Sequence, residues 1–320
     1  MTISVDALPP TNPTNVDSKT YASLSNILTN VSGDVPLHKR FRALFTLKSL
    51  NNENSVDIIA KGFADPSALL KHELAYVLGQ MRNKAAIPHL TKVLSDKSED
   101  PMVRHEAAEA LGAIAEEGCL PVLEEYKTDE QRVVRETCEL AIERILYETR
   151  RRETGEQEAP SPYTSVDPAP PVATQEKTTQ DLRNQLLDTS LPLFERYRAM
   201  FALRNRGDED AVLALAEGLT DDSALFRHEI AYVFGQMQHP ASVPALIKSL
   251  SNTTEEGMVR HECAEALGSI AAPECFEVLK KFSADPERVV RESCIVGLDM
   301  FEHETSGEFQ YADGLTASTH

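Results

Sequence analysis

The chain has 320 residues, enough for two domains or one long repeat array. Its periodic stretches are rich in Leu, Ala and Glu, Trp is absent and aromatics are 6%, which is a helical vocabulary rather than a sheet one. A formal net charge of −19 argues against nonspecific binding to nucleic acid or an anionic membrane, and suits solubility or a basic protein partner.

Residues 1–19 carry no apolar leader and no helical period, so they are expected to be unstructured. Apolar periodicity then predicts helices over 20–30, 38–50, 54–63, 68–81, 86–95, 101–115, 119–126 and 131–148, which make up a first half, 20–150. Within 68–81, Leu70, Leu74, Val77, Leu78 and Met81 form one apolar stripe that neighbouring helices must cover. Residues 151–178 lose the period. Pro160, Pro162, Pro168, Pro170 and Pro171 remove amide donors there, and an exposed, extended or disordered connector is expected. A second half, 179–305, repeats the first at an offset of 156. VRHEAAEALG (103–112) returns as VRHECAEALG (259–268), VVRETCE (133–139) as VVRESC (289–294), and FRALFTL (41–47) answers YRAMFAL (197–203). The tail, 306–320, reads as unstructured. Cys119, Cys138, Cys263, Cys275 and Cys294 form no CxxC pair and fall mostly in apolar helical runs, as buried free thiols in a reducing compartment would. No apolar run reaches the roughly 18 residues a membrane span needs.

A shorter period runs inside each half. His72–Glu73 is followed after 33 residues by His105–Glu106 and after a further 30 by Arg135–Glu136. His228–Glu229, His261–Glu262 and Arg291–Glu292 repeat the series. Periods near 30 with two helices each mark an all-α solenoid of stacked helical hairpins, four per half. With Leu74, Val77 and Leu78 facing the core, His72 falls on the opposite side, among Ala75, Tyr76 and Gly79. His105 repeats this with Ala108, Glu109 and Gly112. Parallel stacking then sets His72 beside His105 and Glu73 beside Glu106, and the second half builds the same cluster. Glu109 and Glu265, one turn beyond their histidines, are placed to join or support each cluster. His38, His89, His239 and His303 lack the paired pattern and read as ordinary surface or groove residues. Arg135–Glu136 and Arg291–Glu292 read as ion-paired walls or partner-binding groups. Gly79, Gly112, Gly235 and Gly268 sit inside helices, where each costs about 1 kcal/mol against Ala. Close packing between repeats and substrate access to the histidine face account for them equally well.

Two histidines and a carboxylate with open positions suit non-haem Fe(II) that activates dioxygen, and the same donors suit Zn, Mn or Co. Two such clusters brought face to face would give a dinuclear site. No GxSxG, HExxH, GxGxxG or GxxxxGK[ST] pattern occurs. The alternatives are a noncatalytic scaffold that binds a peptide in its groove and a zinc-dependent hydrolase on the same frame.

The strings AYVLGQM (75–81) and AYVFGQM (231–237), with the VRHE strings and the His–Glu pairs 33 residues apart in both halves, closely resemble the deoxyhypusine hydroxylases, a HEAT-repeat family, over about residues 20–305. The resemblance implies a monooxygenase with two iron ions per chain and O2 as co-substrate, acting on the deoxyhypusine side chain of translation initiation factor 5A. It assigns His72, His105 and Glu106 to one iron and His228, His261 and Glu262 to the other. Glu73 and Glu229 would meet the cationic amine of the substrate, with Tyr76, Tyr232, Glu109 and Glu265 in support. A site closed by two halves of one chain needs no partner chain, so a monomer is expected, cytoplasmic with nuclear access left open; the resemblance adds a substrate protein with a basic loop, toward which the net charge of −19 would steer it.

Overall fold

The structure is a computed structural model and describes residues 16–157, 159–173 and 177–307. The unstructured segments expected at the two ends lie almost wholly outside the described residues. The first half holds α1 (Ser18–Leu28), α2 (Leu37–Leu50), α3 (Glu53–Lys61), α4 (Ala68–Met81), α5 (Ile87–Ser95), α6 (Pro101–Ile114), α7 (Leu120–Tyr126) and α8 (Arg132–Thr154). The second holds α9 (Thr179–Leu187), α10 (Leu193–Arg206), α11 (Glu209–Glu217), α12 (Ala224–Met237), α13 (Val243–Ser251), α14 (Gly257–Ile270), α15 (Pro273–Phe282) and α16 (Arg288–Ser306). Even-numbered helices stack on one another as an inner layer, and odd-numbered ones back them. The array closes on itself, with α8 packed against α10 and α12, and α16 against α2 and α4. The two hydrophobic cores interlock there: Val296 and Met300 of α16 belong to the first, and Leu140 of α8 to the second.

A repeated buried ion pair sets the stacking. Arg40, Arg104, Arg196 and Arg260 each donate Nε to the carbonyl of a leucine in the last turn of an earlier helix, Leu28, Leu94, Leu186 and Leu250. Each then donates Nη2, at 2.5–2.7 Å, to an aspartate 25 residues on: Asp65, Asp129, Asp221 and Asp285. The arginine that precedes His105 and His261 in the sequence motif therefore serves the fold. One guanidinium satisfies both the end of an outer helix and the turn that starts the next repeat.

The seams between halves use the Arg–Glu dipeptides in an unexpected way. Ser67, which caps α4 by accepting from Leu70 N–H, donates its hydroxyl to Glu292 at 2.6 Å. Ser223 caps α12 in the same manner and donates to Glu136 at 2.6 Å. Arg135 and Arg291 turn away to the carbonyls of Asp129 and Asp285. The dipeptides are thus split, the glutamates clamping one half to the other and the arginines closing turns. A Cβ on Gly79 would lie 2.7 Å from Ala110 Cα, one on Gly112 2.8 Å from Ala141 Cα, and one on Gly268 2.6 Å from Gly297 Cα. These glycines allow inner helices to touch, which decides between the two readings in favour of packing.

The connector departs from its expectation. Helix α8 runs to Thr154, and residues 167–172 are buried rather than exposed. Asp167 accepts two hydrogen bonds, 2.6 and 2.8 Å, from Arg204, a fully buried guanidinium stacked 4.4 Å from the Tyr163 ring. Val166 exchanges both backbone bonds with the side chain of Gln80 in the other half, at 2.8 and 3.0 Å. Proline removes donors from a segment but leaves its carbonyls and apolar rings, so an extended prolyl strand packs where neighbouring side chains satisfy it. The five cysteines are buried and free, as expected. Among the described residues no helix is long and apolar enough to cross a membrane.

Candidate metal centre

His72, His105, His228 and His261 are each the fifth residue of their helices, α4, α6, α12 and α14. Side-chain caps from Ser67, Asp100 and Ser223 fix where three of these helices begin, so the imidazoles stand at one height. They face away from the core of their own half, as the stripe predicted, yet none is open to solvent: exposures are 3%, 0%, 5% and 0% because the opposite half covers them. Ring centroids of neighbouring pairs lie 5.1–5.7 Å apart, across the halves as well as within them.

Six carboxylates surround this box. Glu73, Glu106, Glu229, Glu262 and Glu265 are buried and Glu109 is half-buried, and neither lysine nor arginine lines the cavity. Glu106 comes within 3.2 Å of His72 Nε2, Glu262 within 3.5 Å of His228 Nε2, and Glu265 within 3.7 Å of His261 Nδ1. None of these approaches is aligned as a hydrogen bond. Among the described residues, both ring nitrogens of all four histidines, together with Glu73 Oε2 and Glu229 Oε1, have no hydrogen-bond partner. Tyr76 and Tyr232 close the cavity on the connector side, their hydroxyls 3.1 Å apart, and Gln236 donates to Tyr232 at 2.9 Å.

Burial holds the four imidazoles below their ordinary range. For His105, His228 and His261 the shift is large and the neighbouring imidazoles add to it, whereas at His72 the charge of Glu73 partly offsets it. Burial also pushes Glu73 and Glu106 up to about 8 and Glu265 up to about 7. Glu109, Glu229 and Glu262 lie well above the carboxylate range for the same first cause, with neighbouring carboxylates adding to it. Neutral imidazoles with free nitrogens beside acid groups that prefer a countercharge are the donor set of a cation site.

Ligating atoms of His72, His105 and Glu106 all lie within 4.8 Å of one another, and so do those of His72, His228 and His261. The first group matches one expected ligand set. The second crosses the halves, so the four imidazoles form one shared box rather than two separate clusters, with Glu262 standing beside His228. His38, His89, His239 and His303 are not part of it. Sequence reasoning passed over Gln80, Gln236, Asp167 and Arg204. The glutamines were visible in the repeated GQM strings, but their work is to hold the connector and a tyrosine, which periodicity does not signal.

A duplicated solenoid of helical hairpins enclosing a polar box defines the class, and HEAT repeats match at residues 56–143, 179–257 and 212–299. The chain is 58% identical over 280 residues to the deoxyhypusine hydroxylase of Mus musculus, covering 88% of this chain and 91% of that one. It is 52% identical over 301 residues to the enzyme of Drosophila melanogaster, covering 94% and 97%. The structure of human deoxyhypusine hydroxylase in complex with glycerol superposes with a TM-score of 0.84 at 55% identity, over 89% of this chain and 98% of that one. The chain belongs to the deoxyhypusine hydroxylase family and is an enzyme, a hydroxylase.

Proposed function

We propose that this chain hydroxylates the deoxyhypusine side chain of translation initiation factor 5A, as a monomer, with two iron ions and O2. The observation that carries the reading is the set of eight imidazole nitrogens, buried and without a hydrogen-bond partner, in a cavity edged by carboxylates. Native proteins rarely leave so many buried polar atoms unpaired, and neutral nitrogens with adjacent carboxylates fit iron. His72, His105 and Glu106 would hold one ion, and His228, His261 and Glu262 the other. Bound iron supplies the redox chemistry that an unactivated C–H bond requires, which acid–base side chains cannot. One oxygen atom enters the C–H bond and the other leaves as water, with two electrons and two protons from an external reductant.

The protein's own groups position the arm. Glu73 and Glu229, each with an unpaired oxygen facing the cavity, accept the ammonium charge of the aminobutyl chain. The tyrosine pair and the connector exclude water from the end they cover, so those ion–ammonium contacts form in a low-dielectric setting. Both halves contribute to one box, so a single chain completes the site. The test is mass analysis of deoxyhypusine-bearing factor 5A incubated with iron-loaded protein, reductant and O2. A gain of one oxygen is expected, absent in His105→Ala, with two irons bound per chain. Zinc at full occupancy and no oxygen gain would overturn the assignment of iron, O2 and this substrate.

A further inference from the structure

The two halves repeat closely, but their spare carboxylates do not. Glu265 is 3% exposed, accepts from Ser293 Oγ at 3.2 Å and stands 3.7 Å from His261 Nδ1. Its counterpart at the 156-residue offset is Glu109, which is half-buried, lines the cavity and makes no hydrogen bond with any described residue. The cause lies one helix away. The residue equivalent to Ser293 is Thr137, whose hydroxyl donates at 2.8 Å to the Val133 carbonyl of its own helix and so offers Glu109 nothing. Threonine back-bonds to its own helix in this way because its branched Cβ limits χ1. His105 accordingly lacks the carboxylate support that His261 has.

We propose that Glu109 is a substrate-binding carboxylate that receives one ammonium group of the aminobutyl arm, while Glu265 is a positioning residue that orients His261. The inference rests on the function proposed above. Two unpaired oxygens, Glu73 Oε2 and Glu229 Oε1, already aim into the same cavity from side chains that are 4% and 2% exposed. Glu109 stands one helical turn beyond Glu106, about 4.5 Å further along the axis toward the tyrosine pair. A deoxyhypusine side chain carries two ammonium nitrogens separated by four methylenes, so it needs acceptors at two depths. Glu73 and Glu229 supply one level and Glu109 the other. Charge agrees with this. Six carboxylates line the cavity; two divalent ions offset four of the six negative charges, and the two that remain equal the charge of a diammonium arm. The asymmetry also distinguishes the two sides, since of Glu109 and Glu265 only Glu109 offers an uncommitted acceptor at the level nearer the tyrosine pair.

The test is binding and kinetics in the full-length, metal-loaded protein. Two probes are used, an N-alkylated 1,4-diaminobutane and its analogue with a terminal hydroxyl in place of the primary amine. Calorimetry without O2 or reductant should show Glu109→Gln weakening the diamine by roughly tenfold or more, the range for a charge-assisted hydrogen bond, with much less effect on the hydroxyl analogue. The same variant should raise KM for the protein substrate and keep its metal content. Glu265→Gln should leave diamine affinity near wild type and instead loosen metal retention, roughly 10–100-fold as expected for a lost ligand support. Glu109→Asp should recover part of the diamine affinity. Equal diamine binding in wild type and Glu109→Gln, or an equal loss in Glu265→Gln, overturns this inference alone if wild type still adds oxygen. A wild-type protein that neither binds the diamine nor adds oxygen overturns the proposed function with it.

Discussion

Substituting Gly79 with Ala tests how tightly the site helices must approach. In a helix interior the exchange alone favours Ala by about 1 kcal/mol. Here the new Cβ would sit 2.7 Å from Ala110 Cα and 2.9 Å from its Cβ, against backbone that cannot swing aside. Overpacking of that kind costs roughly 1–3 kcal/mol, and backbone contact belongs at the upper end, so the net loss is about 2 kcal/mol. For a chain of this size that corresponds to a fall in Tm of about 4 °C. The repeat supplies its own control. At Gly235 the same substitution meets Ala266 Cα at 3.3 Å, a gap that a shift of a few tenths of an ångström relieves, and it should be near neutral. Forcing α4 from α6 also separates His72 from Glu106, now 3.2 Å apart, so Gly79→Ala should lose metal more readily than Gly235→Ala. Thermal denaturation and metal titration of both variants provide the check. Stabilisation of Gly79→Ala by the full helix-propensity gain, with metal retained, would refute the packing account.

Metal-free protein should lose stability as pH rises from 6.5 to 8. Glu73 and Glu106 keep their protons up to about 8 in the folded state, against 4.5 in the free group, so the unfolded chain binds fewer protons and folding weakens through that window. The histidines act oppositely, since their lowered values make stability rise with pH, but that rise is halved by 6.5, where half the unfolded imidazoles are neutral, and is spent about one pH unit higher, while the carboxylate loss continues to about 8. Metal loading should flatten the slope, and a level or rising Tm for the chelated protein across this range would contradict it. Asp167→Asn removes the carboxylate that pairs a fully buried guanidinium and leaves it neutral acceptors from Gln236, Asn205, Ser161 and Ser165, at a cost of about 3 kcal/mol. The urea midpoint should drop accordingly and the connector should become a protease target, whereas an unchanged midpoint would mean that the segment carries no structural weight.

Much of this was legible in the sequence because helical periodicity is a local signal. The expected helices over 68–81, 101–115 and 131–148 and those observed differ mainly where α8 overruns to Thr154. The His–Glu register followed from the same period, since identical positions on stacked parallel helices must be neighbours. What failed depended on partners far along the chain. Residues 167–172 read as solvent-facing because prolines dominate them, and only Arg204 and Gln80, 37 and 86 residues from their partners Asp167 and Val166, show why they are held. Glu136 looked like a groove wall because its acceptor role toward Ser223 spans 87 residues.

Duplication explains the chemistry as well as the fold. A single half would present His72 and His105 on an uncovered face, where water would solvate each imidazole and leave the glutamates at ordinary acidity. Closing the second half over the first removes that water from both sides at once. The same step that buries the histidines therefore makes them neutral and raises the carboxylates, and Ser67–Glu292 and Ser223–Glu136 are among the contacts that hold the seams while it does so. Those two bonds also seat the caps that start α4 and α12. Strain at a seam would thus reach His72 and His228 within two turns of helix, coupling closure of the ring to the geometry of the box. The departures from two-fold symmetry, Thr137 against Ser293 and the connector on one side alone, are small in sequence. They leave Glu109 uncommitted where its counterpart Glu265 is held by Ser293, and so they give a symmetric scaffold two unlike sides.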